Sequence, residues 1–96
     1  MKIKITASFR EKVNQQVDFI ARDKPGVARK FKNELLEQLN SISDMPYKHR
    51  KSIFFDQEET RDLIFKGYIV VYRINQPENV VEVFGFTKYE ENPFHD

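Results

Sequence analysis

The first ten residues change from a strand pattern to a helix pattern. Lys2-Ile3-Lys4-Ile5-Thr6 alternates polar and apolar residues, which predicts a strand with one buried face. From Ser8 onward, apolar residues recur at every third or fourth position, and these are Phe9, Val13, Val17 and Ile20. This spacing places them on one face of a helix of about four turns, which we expect to end near Arg22.

A second helix is predicted after a tight turn. Asp23-Lys24-Pro25-Gly26 interrupts the pattern, and Pro25 suits the first position of a helix because the N–H that it lacks has no partner there. The turn formed by Ser43-Asp44-Met45-Pro46 ends the helix. Its apolar stripe consists of Val27, Phe31, Leu35, Leu39 and Ile42, widened by Ala28 and Leu36. Together the two segments predict an amphipathic helical hairpin.

The second half of the chain has the composition of strands. Residues 61–66, 68–75 and 80–87 are rich in β-branched and aromatic side chains. Lys66-Gly67 predicts a tight turn and residues 76–79 a four-residue hairpin loop, so the three segments are expected to form an antiparallel meander. Residues 52–55 are apolar and predict a further short strand or a buried loop.

The expected pairing divides the strand side chains between two faces of the sheet. Pairing Phe65 with Tyr68, and Arg73 with Glu82, fixes the register. The face assigned to the helical hairpin carries Leu63, Phe65, Tyr68, Val70, Tyr72, Ile74, Val81 and Val83. The opposite face carries Asp62, Ile64, Ile69, Val71, Arg73, Glu82, Phe84 and Phe86. Because a monomer seldom leaves so many large apolar side chains exposed, this second face is expected to meet a partner.

Composition narrows the class of protein. A chain of 96 residues predicts one domain spanning residues 1–96, and 40% hydrophobic with 32% charged residues is typical of a folded protein. The absence of cysteine excludes disulfides, thiolate zinc sites and thiol nucleophiles, and favours a cytoplasmic location. The longest apolar run, residues 68–72, is far shorter than the roughly 20 residues of a membrane span, so we expect no membrane segment.

The charges are unevenly distributed although the net charge is only +1. Residues 1–51 carry 12 Lys and Arg against 6 Asp and Glu, whereas residues 52–96 carry 4 against 9. The first half is therefore basic, and it ends on the run Lys48-His49-Arg50-Lys51. Such a run is more often a solvated loop than a binding patch, and both alternatives stay open from the sequence.

The groups required for metal or nucleophilic catalysis are missing from the sequence. The two histidines, His49 and His95, are not spaced as metal ligands, and three glycines do not form a phosphate-binding loop. We therefore expect no metal ion and no cofactor. Acid/base or electrostatic chemistry by Lys, Arg, His and Tyr side chains on a phosphodiester remains possible for a small basic domain.

Several segments resemble the RelE/ParE superfamily of bacterial type II toxins. The helical hairpin segment FIARDKPGVARKFKNELLEQL, the MP break, the segment RDLIFKGYIVVYRI and the closing strand VVEVFGF carry the resemblance, which covers nearly the whole chain. Its most specific part is residues 61–74, where a strand headed by Arg61 turns into a strand bearing Tyr68 and Tyr72. The resemblance implies an α+β fold of order β-α-α-β-β-β and an intracellular toxin neutralised by a cognate antitoxin.

The superfamily implies two mechanisms. RelE-like toxins cut mRNA in the ribosome with Lys and Arg on the open sheet face and a Tyr or His near the C-terminus, whereas ParE-like toxins poison DNA gyrase without nuclease chemistry. Where the RelE pattern requires cations, this chain has Asp62, Ile64 and Ile69. The resemblance therefore favours a ParE-like toxin, with a ribosome-dependent mRNA endonuclease as the alternative and a non-toxic interaction module as a third.

Each alternative assigns its own site residues. In a RelE-like enzyme the catalytic pair would be Lys88 and Tyr89, although a strand end whose Tyr ring packs at the sheet edge is the simpler interpretation. Contacts with the target or with nucleic acid are predicted for Lys48, His49, Arg50, Lys51 and Arg73, the last of which could instead pair with Glu82. The antitoxin is expected to cover Ile69, Val71, Phe84 and Phe86.

Overall fold

One strand, two helices and four further strands follow one another in a computed structural model that describes residues 1–89. They are β1 (Lys2–Ile5), α1 (Ala7–Ala21), α2 (Pro25–Asp44), β2 (Arg50–Lys51), β3 (Thr60–Phe65), β4 (Tyr68–Asn75) and β5 (Val80–Lys88). The predicted α+β order is confirmed, and the long elements end within two residues of the predicted bounds. The expected short strand or buried loop of residues 52–55 is a loop in which Ser52 is buried and Ile53 is exposed, and the two-residue strand β2 lies just before it.

All five strands form one sheet in the order β1-β5-β4-β3-β2. The strands β2 to β5 pair antiparallel, as expected of a meander, whereas β1 pairs parallel with β5 at the edge. The predicted pairs Phe65 with Tyr68 and Arg73 with Glu82 are both present. The Lys66-Gly67 turn has positive φ angles of 47° and 83°, which is typical of the tight hairpin turn that the sequence predicts.

The helix boundaries follow from local chemistry. Thr6 caps α1, because its hydroxyl accepts a hydrogen bond from the Phe9 N–H at 3.2 Å. Pro25 begins α2, as expected. The buried side of α2 is narrower than predicted, since Ala28, Phe31, Leu35, Leu39 and Ile42 are buried while Val27 and Leu36 are exposed. Both exposed residues lie roughly 70° to 110° around the helix from the centre of that stripe, so they do not reach the sheet.

A β-bulge in β5 corrects the predicted assignment of Phe86. Tyr72 pairs with Val83 but Val71 pairs with Gly85, so Phe84 is an extra residue and the register beyond it shifts by one. Phe86 therefore lies opposite Val70 and faces the helices, where it is only 6% exposed. The prediction that Phe86 lies on the open face is wrong, because a one-residue shift moves a side chain to the other face.

The open face of the sheet is also less open than expected. Ile69 and Val71 are both 0% exposed, so the expectation that they form a wet apolar surface is wrong. The segment of residues 52–59, here called the strap, runs back over this face beside Asp62 and Phe84. The Ile53 N–H donates to the Asp62 carboxylate at 3.0 Å, and the Phe55 ring lies 5.7 Å from the Phe84 ring. Because both side chains are fully buried in this structure, an antitoxin could contact Ile69 and Val71 only after a rearrangement that exposes them.

Candidate functional site

The predicted basic segment does not form one continuous cationic patch. Lys51 pairs with Asp56 at 2.8 Å and lies 3.9 Å from Glu58, and Arg50 pairs with the buried Asp62 at 3.4 Å. The Lys48 side chain is exposed. Because two of these cations already have carboxylate partners, the segment offers much less free positive charge than its sequence indicates.

Arg61, which the sequence did not single out as a site residue, organises this region. Its guanidinium donates to the His49 carbonyl at 3.1 Å and to the Glu58 carbonyl at 2.8 Å, and lies 4.9 Å from the centre of the Tyr47 ring. The Arg61 side chain thus links residues 47–49, which precede β2, to Glu58 at the end of the strap. No spacing rule distinguishes Arg61 from the other cations, because its partners come from segments 3 and 12 residues away.

His49 is a packed histidine rather than a free one. Its ring lies edge-on to the Tyr72 ring with centroids 6.2 Å apart, and the Tyr72 hydroxyl donates to the Pro46 carbonyl. Burial lowers the pKa of His49, and the neighbouring Lys48 charge lowers it further. Burial also raises the pKa of the Tyr72 hydroxyl, so this group stays protonated. His49 therefore contributes packing in its neutral form.

Lowering the pH from about 7 to about 5 is expected to lower the melting temperature. The pKa of His49 is lower in the folded chain than in the unfolded chain, so in this window the unfolded state binds more protons and protonation favours unfolding. Differential scanning fluorimetry at several pH values measures the slope. A His49→Asn variant should show a flatter curve, because the lowered pKa values of Glu34 and Asp56 affect stability only at lower pH. Equal slopes in the two proteins would contradict the role of His49.

The two predicted catalytic residues are not brought together. Lys88 lines a groove beside α1, on the helix side of the sheet. The Tyr89 ring instead lies 5.8 Å from the guanidinium of Arg50, near the strap. Adjacent residues at a strand end point in opposite directions, so one phosphate cannot readily meet both side chains.

Arg73 is exposed and stacks on an aromatic ring rather than pairing with a carboxylate. Its guanidinium lies 5.0 Å from the centre of the Phe84 ring. Glu82 is its direct neighbour across the strands, but no ion pair joins them among those formed by residues 1–89. Arg73 and Arg50 lie on this face of the sheet, together with Lys2 and Lys4 of the edge strand β1, and Arg50 is already paired.

A groove with an apolar floor lies between the two helices. It encloses about 220 Å³, its floor includes Phe9, Val13 and Leu35, and its rim includes Leu36, Arg10 and Lys32. Leu36 is 44% exposed, and no carboxylate lines the groove. We call this surface the α1–α2 groove. An apolar floor with a basic rim is suited to an acidic amphipathic segment.

The described part of the chain contains no candidate metal centre and no helix that could span a membrane. Residues 1–89 contain no cluster of three or more His, Asp or Glu side chains that could hold a metal ion. Neither α1 nor α2 combines the length and apolarity that crossing a bilayer requires.

Comparison with known proteins assigns the fold. The family model described as "ParE toxin of type II toxin-antitoxin system, parDE" matches residues 3–93. The chromosomal ParDE system of P. aeruginosa contains a chain with a TM-score of 0.75 and 14% identity, covering 94% of this chain and 97% of that one. The intact E. coli RelBE toxin-antitoxin complex gives a TM-score of 0.64 and 15% identity, with coverage of 94% and 98%. No curated protein matches the sequence significantly.

Proposed function

The chain belongs to the ParE toxin family of type II toxin-antitoxin systems, and we propose that it acts by binding and inhibiting DNA gyrase rather than by cutting RNA. One observation carries the proposal. Where a ribonuclease of this fold would place cations, the sheet face has the buried carboxylate of Asp62 and the buried side chain of Ile69. A developing phosphorane charge is stabilised by donors that are worth about 3 kcal/mol each, and a carboxylate has the opposite effect.

The RelE-like alternative relies on Lys88 and Tyr89 at the end of β5. Tyr89 is about half exposed and could approach a substrate, but Lys88 faces the groove beside α1. The Arg50 guanidinium lies 5.8 Å from the centre of the Tyr89 ring, and its charge is shared with Asp62. The cation beside the Tyr89 ring is therefore partly neutralised, which supports the gyrase proposal over the alternative.

A paired assay tests the proposal. The purified chain is expected to inhibit DNA supercoiling by gyrase and to leave mRNA intact in a translating extract. The Tyr89→Phe variant should inhibit gyrase as strongly as the unmodified protein, because it keeps the ring beside Arg50 and loses only a proton-transfer group. If mRNA is cut, and Tyr89→Phe lowers cleavage by about 10² to 10⁴, the RelE-like alternative is correct.

We further propose that the cognate antitoxin binds in the α1–α2 groove. The similar chains of known structure come from ParDE and RelBE toxin-antitoxin systems, which supports an antitoxin as a partner of this chain. The groove has an exposed leucine and two cations at its rim, whereas Ile69, Val71 and Phe86 of the earlier prediction are buried. An acidic amphipathic helix could bury Leu36 and place carboxylates beside Arg10 and Lys32.

Leu36→Glu is expected to weaken antitoxin binding by about 30-fold, the effect of losing one interface hot spot of about 2 kcal/mol. Glu is a good helix former and Leu36 is exposed, so the fold should be retained. Val27→Glu is the matched control, because Val27 is an exposed apolar residue of the same helix outside the groove. Calorimetric titration with the antitoxin encoded by the neighbouring gene measures both. Equal weakening by the two variants would place the antitoxin elsewhere.

A further inference from the structure

A second groove lies beside α1, where the helix meets the ends of β4 and β5. Its volume is about 440 Å³, and it is lined by Lys12, Gln15 and Phe19 of the helix and by Tyr68, Phe86 and Lys88 of the strands. We call it the Lys12–Lys88 groove. The function proposed above does not use it.

The two grooves lie on opposite flanks of the same helix. Arg10 and Asn14 face the α1–α2 groove, whereas Lys12 and Phe19 face the second groove. At 100° per residue these two sets lie roughly 160° apart around the helix axis. Phe9 and Val13 lie between the two sets and pack into the core. A segment bound in one groove therefore does not occupy the other.

An aromatic surface forms the apolar part of the second groove. The half-buried Tyr68 ring is the exposed member of a stacked pair and covers the buried Phe86 ring, with centroids 4.8 Å apart and planes inclined by 10°. Phe19 stands beside them and is 65% exposed, the largest exposed fraction of any large apolar side chain in residues 1–89. A large aromatic side chain kept in water beside two other rings is typical of a binding surface.

The polar part of the groove is cationic, and no carboxylate of residues 1–89 lines it. Lys12 and Lys88 are both exposed, and neither takes part in an ion pair within residues 1–89. The remaining polar side chains that line it, Gln15, Gln16 and Thr87, are neutral. The complementary ligand therefore has an apolar or aromatic group for the rings and carboxylates for the two lysines.

We propose that the Lys12–Lys88 groove is a docking site for an acidic segment of a partner protein that carries one aromatic anchor residue. Nucleic acid is disfavoured because backbone binding requires a stripe of many cations, and this groove offers two. The aromatic anchor would pack on Phe19, and its flanking carboxylates would approach Lys12 and Lys88. The proposal is independent of gyrase inhibition and of what fills the α1–α2 groove.

Titration of the isotope-labelled full chain with a capped peptide of sequence Gly-Glu-Asp-Phe-Asp-Glu-Gly tests the proposal by NMR. Amide shifts are expected to be confined to residues lining the groove, including Lys12, Phe19 and Lys88. The double variant Lys12→Glu, Lys88→Glu should weaken binding by about tenfold. Lys2→Glu with Lys24→Glu changes the net charge equally at exposed positions outside the groove and should leave binding nearly unchanged. Leu36→Glu should also leave it unchanged.

Three outcomes would overturn the proposal. Equal weakening by the two double variants would mean that the peptide senses only overall charge. Equal binding of a peptide with Ala in place of Phe would mean that the rings contribute nothing. Binding of a ten-nucleotide thymidine strand at the same amides, with no binding of the peptide, would make the groove a nucleic-acid site instead. The variant Phe19→Ala should weaken peptide binding but keep the fold, because it removes only an exposed ring. Its unchanged spectrum elsewhere would show that the lost binding is not due to unfolding.

Discussion

Replacing Arg50 with Ala is expected to lower the free energy of unfolding by about 3 kcal/mol, although Arg50 lies in a strand of only two residues. The Asp62 side chain is 0% exposed, and Arg50 supplies a cation at 3.4 Å. The other hydrogen bond to this carboxylate comes from the Ile53 N–H at 3.0 Å. Without Arg50, the carboxylate keeps its desolvation penalty and loses the attraction that offsets it. Urea denaturation measures the change.

Lys51→Ala is the matched control for Arg50→Ala. Lys51 is the next residue of the same strand, but both of its carboxylate partners, Asp56 and Glu58, are exposed to water. Screening by solvent makes such pairs weak, so no measurable change in the urea midpoint is expected. Adding Asp62→Ala to Arg50→Ala should restore part of the lost stability, because it removes the buried charge. If Arg50→Ala and Lys51→Ala unfold at the same urea concentration, the strap is held by other contacts.

The helices and the strands could be predicted because each buries one face with a regular period. The stripe of Phe31, Leu35 and Leu39 and the alternation in β4 both reflect burial against a single neighbouring layer. The Lys66-Gly67 turn then determines the register of the hairpin by local geometry. These signals lie within a few residues of one another in the chain.

The bulge in β5 could not be predicted in this way. Regular alternation from Val81 assigns Phe86 to the face opposite the helices, and one extra residue at Phe84 reverses that assignment. The gain comes from stacking Phe86 on Tyr68 and from its edge-on contact with Phe9 at 5.9 Å. Both contacts depend on the three-dimensional position of α1, which no local pattern contains.

The candidate site was even harder to predict from the sequence than the bulge, because its charged side chains are paired by residues distant in the chain. A charged residue on a strand predicts a solvent-exposed face, yet Asp62 is buried beside Arg50 and the strap. The sequence likewise indicates unpaired cations in the basic segment, because the carboxylate partners of Arg50 and Lys51 lie 12 and 5 residues away in the chain. A charged side chain can be buried only where it has partners. Asp62 has partners because the chain reverses between β2 and β3, which brings Arg50 and the Ile53 N–H beside its carboxylate.

Phe31→Ala is expected to lower the free energy of unfolding by about 3 to 5 kcal/mol, close to the whole stability of a small domain. The Phe31 ring is 6% exposed, and its centroid lies 5.2 Å from that of Phe65 and 5.8 Å from that of Tyr68. It thus joins α2 to the turn end of the hairpin formed by β3 and β4. Removing it leaves a cavity between two layers whose other side chains are already packed.

Phe19→Ala provides the same chemical change at an exposed position. Phe19 belongs to α1 but points into the second groove, so its truncation should change the urea midpoint little, whereas Phe31→Ala should leave much of the chain unfolded at 37 °C. Circular dichroism during thermal unfolding distinguishes the two. If Phe31→Ala melts at the temperature of Phe19→Ala, the packing of α2 on the sheet contributes little to stability. The grooves on either side of α1 would then lack the rigid floor that the docking of an antitoxin or an acidic segment requires.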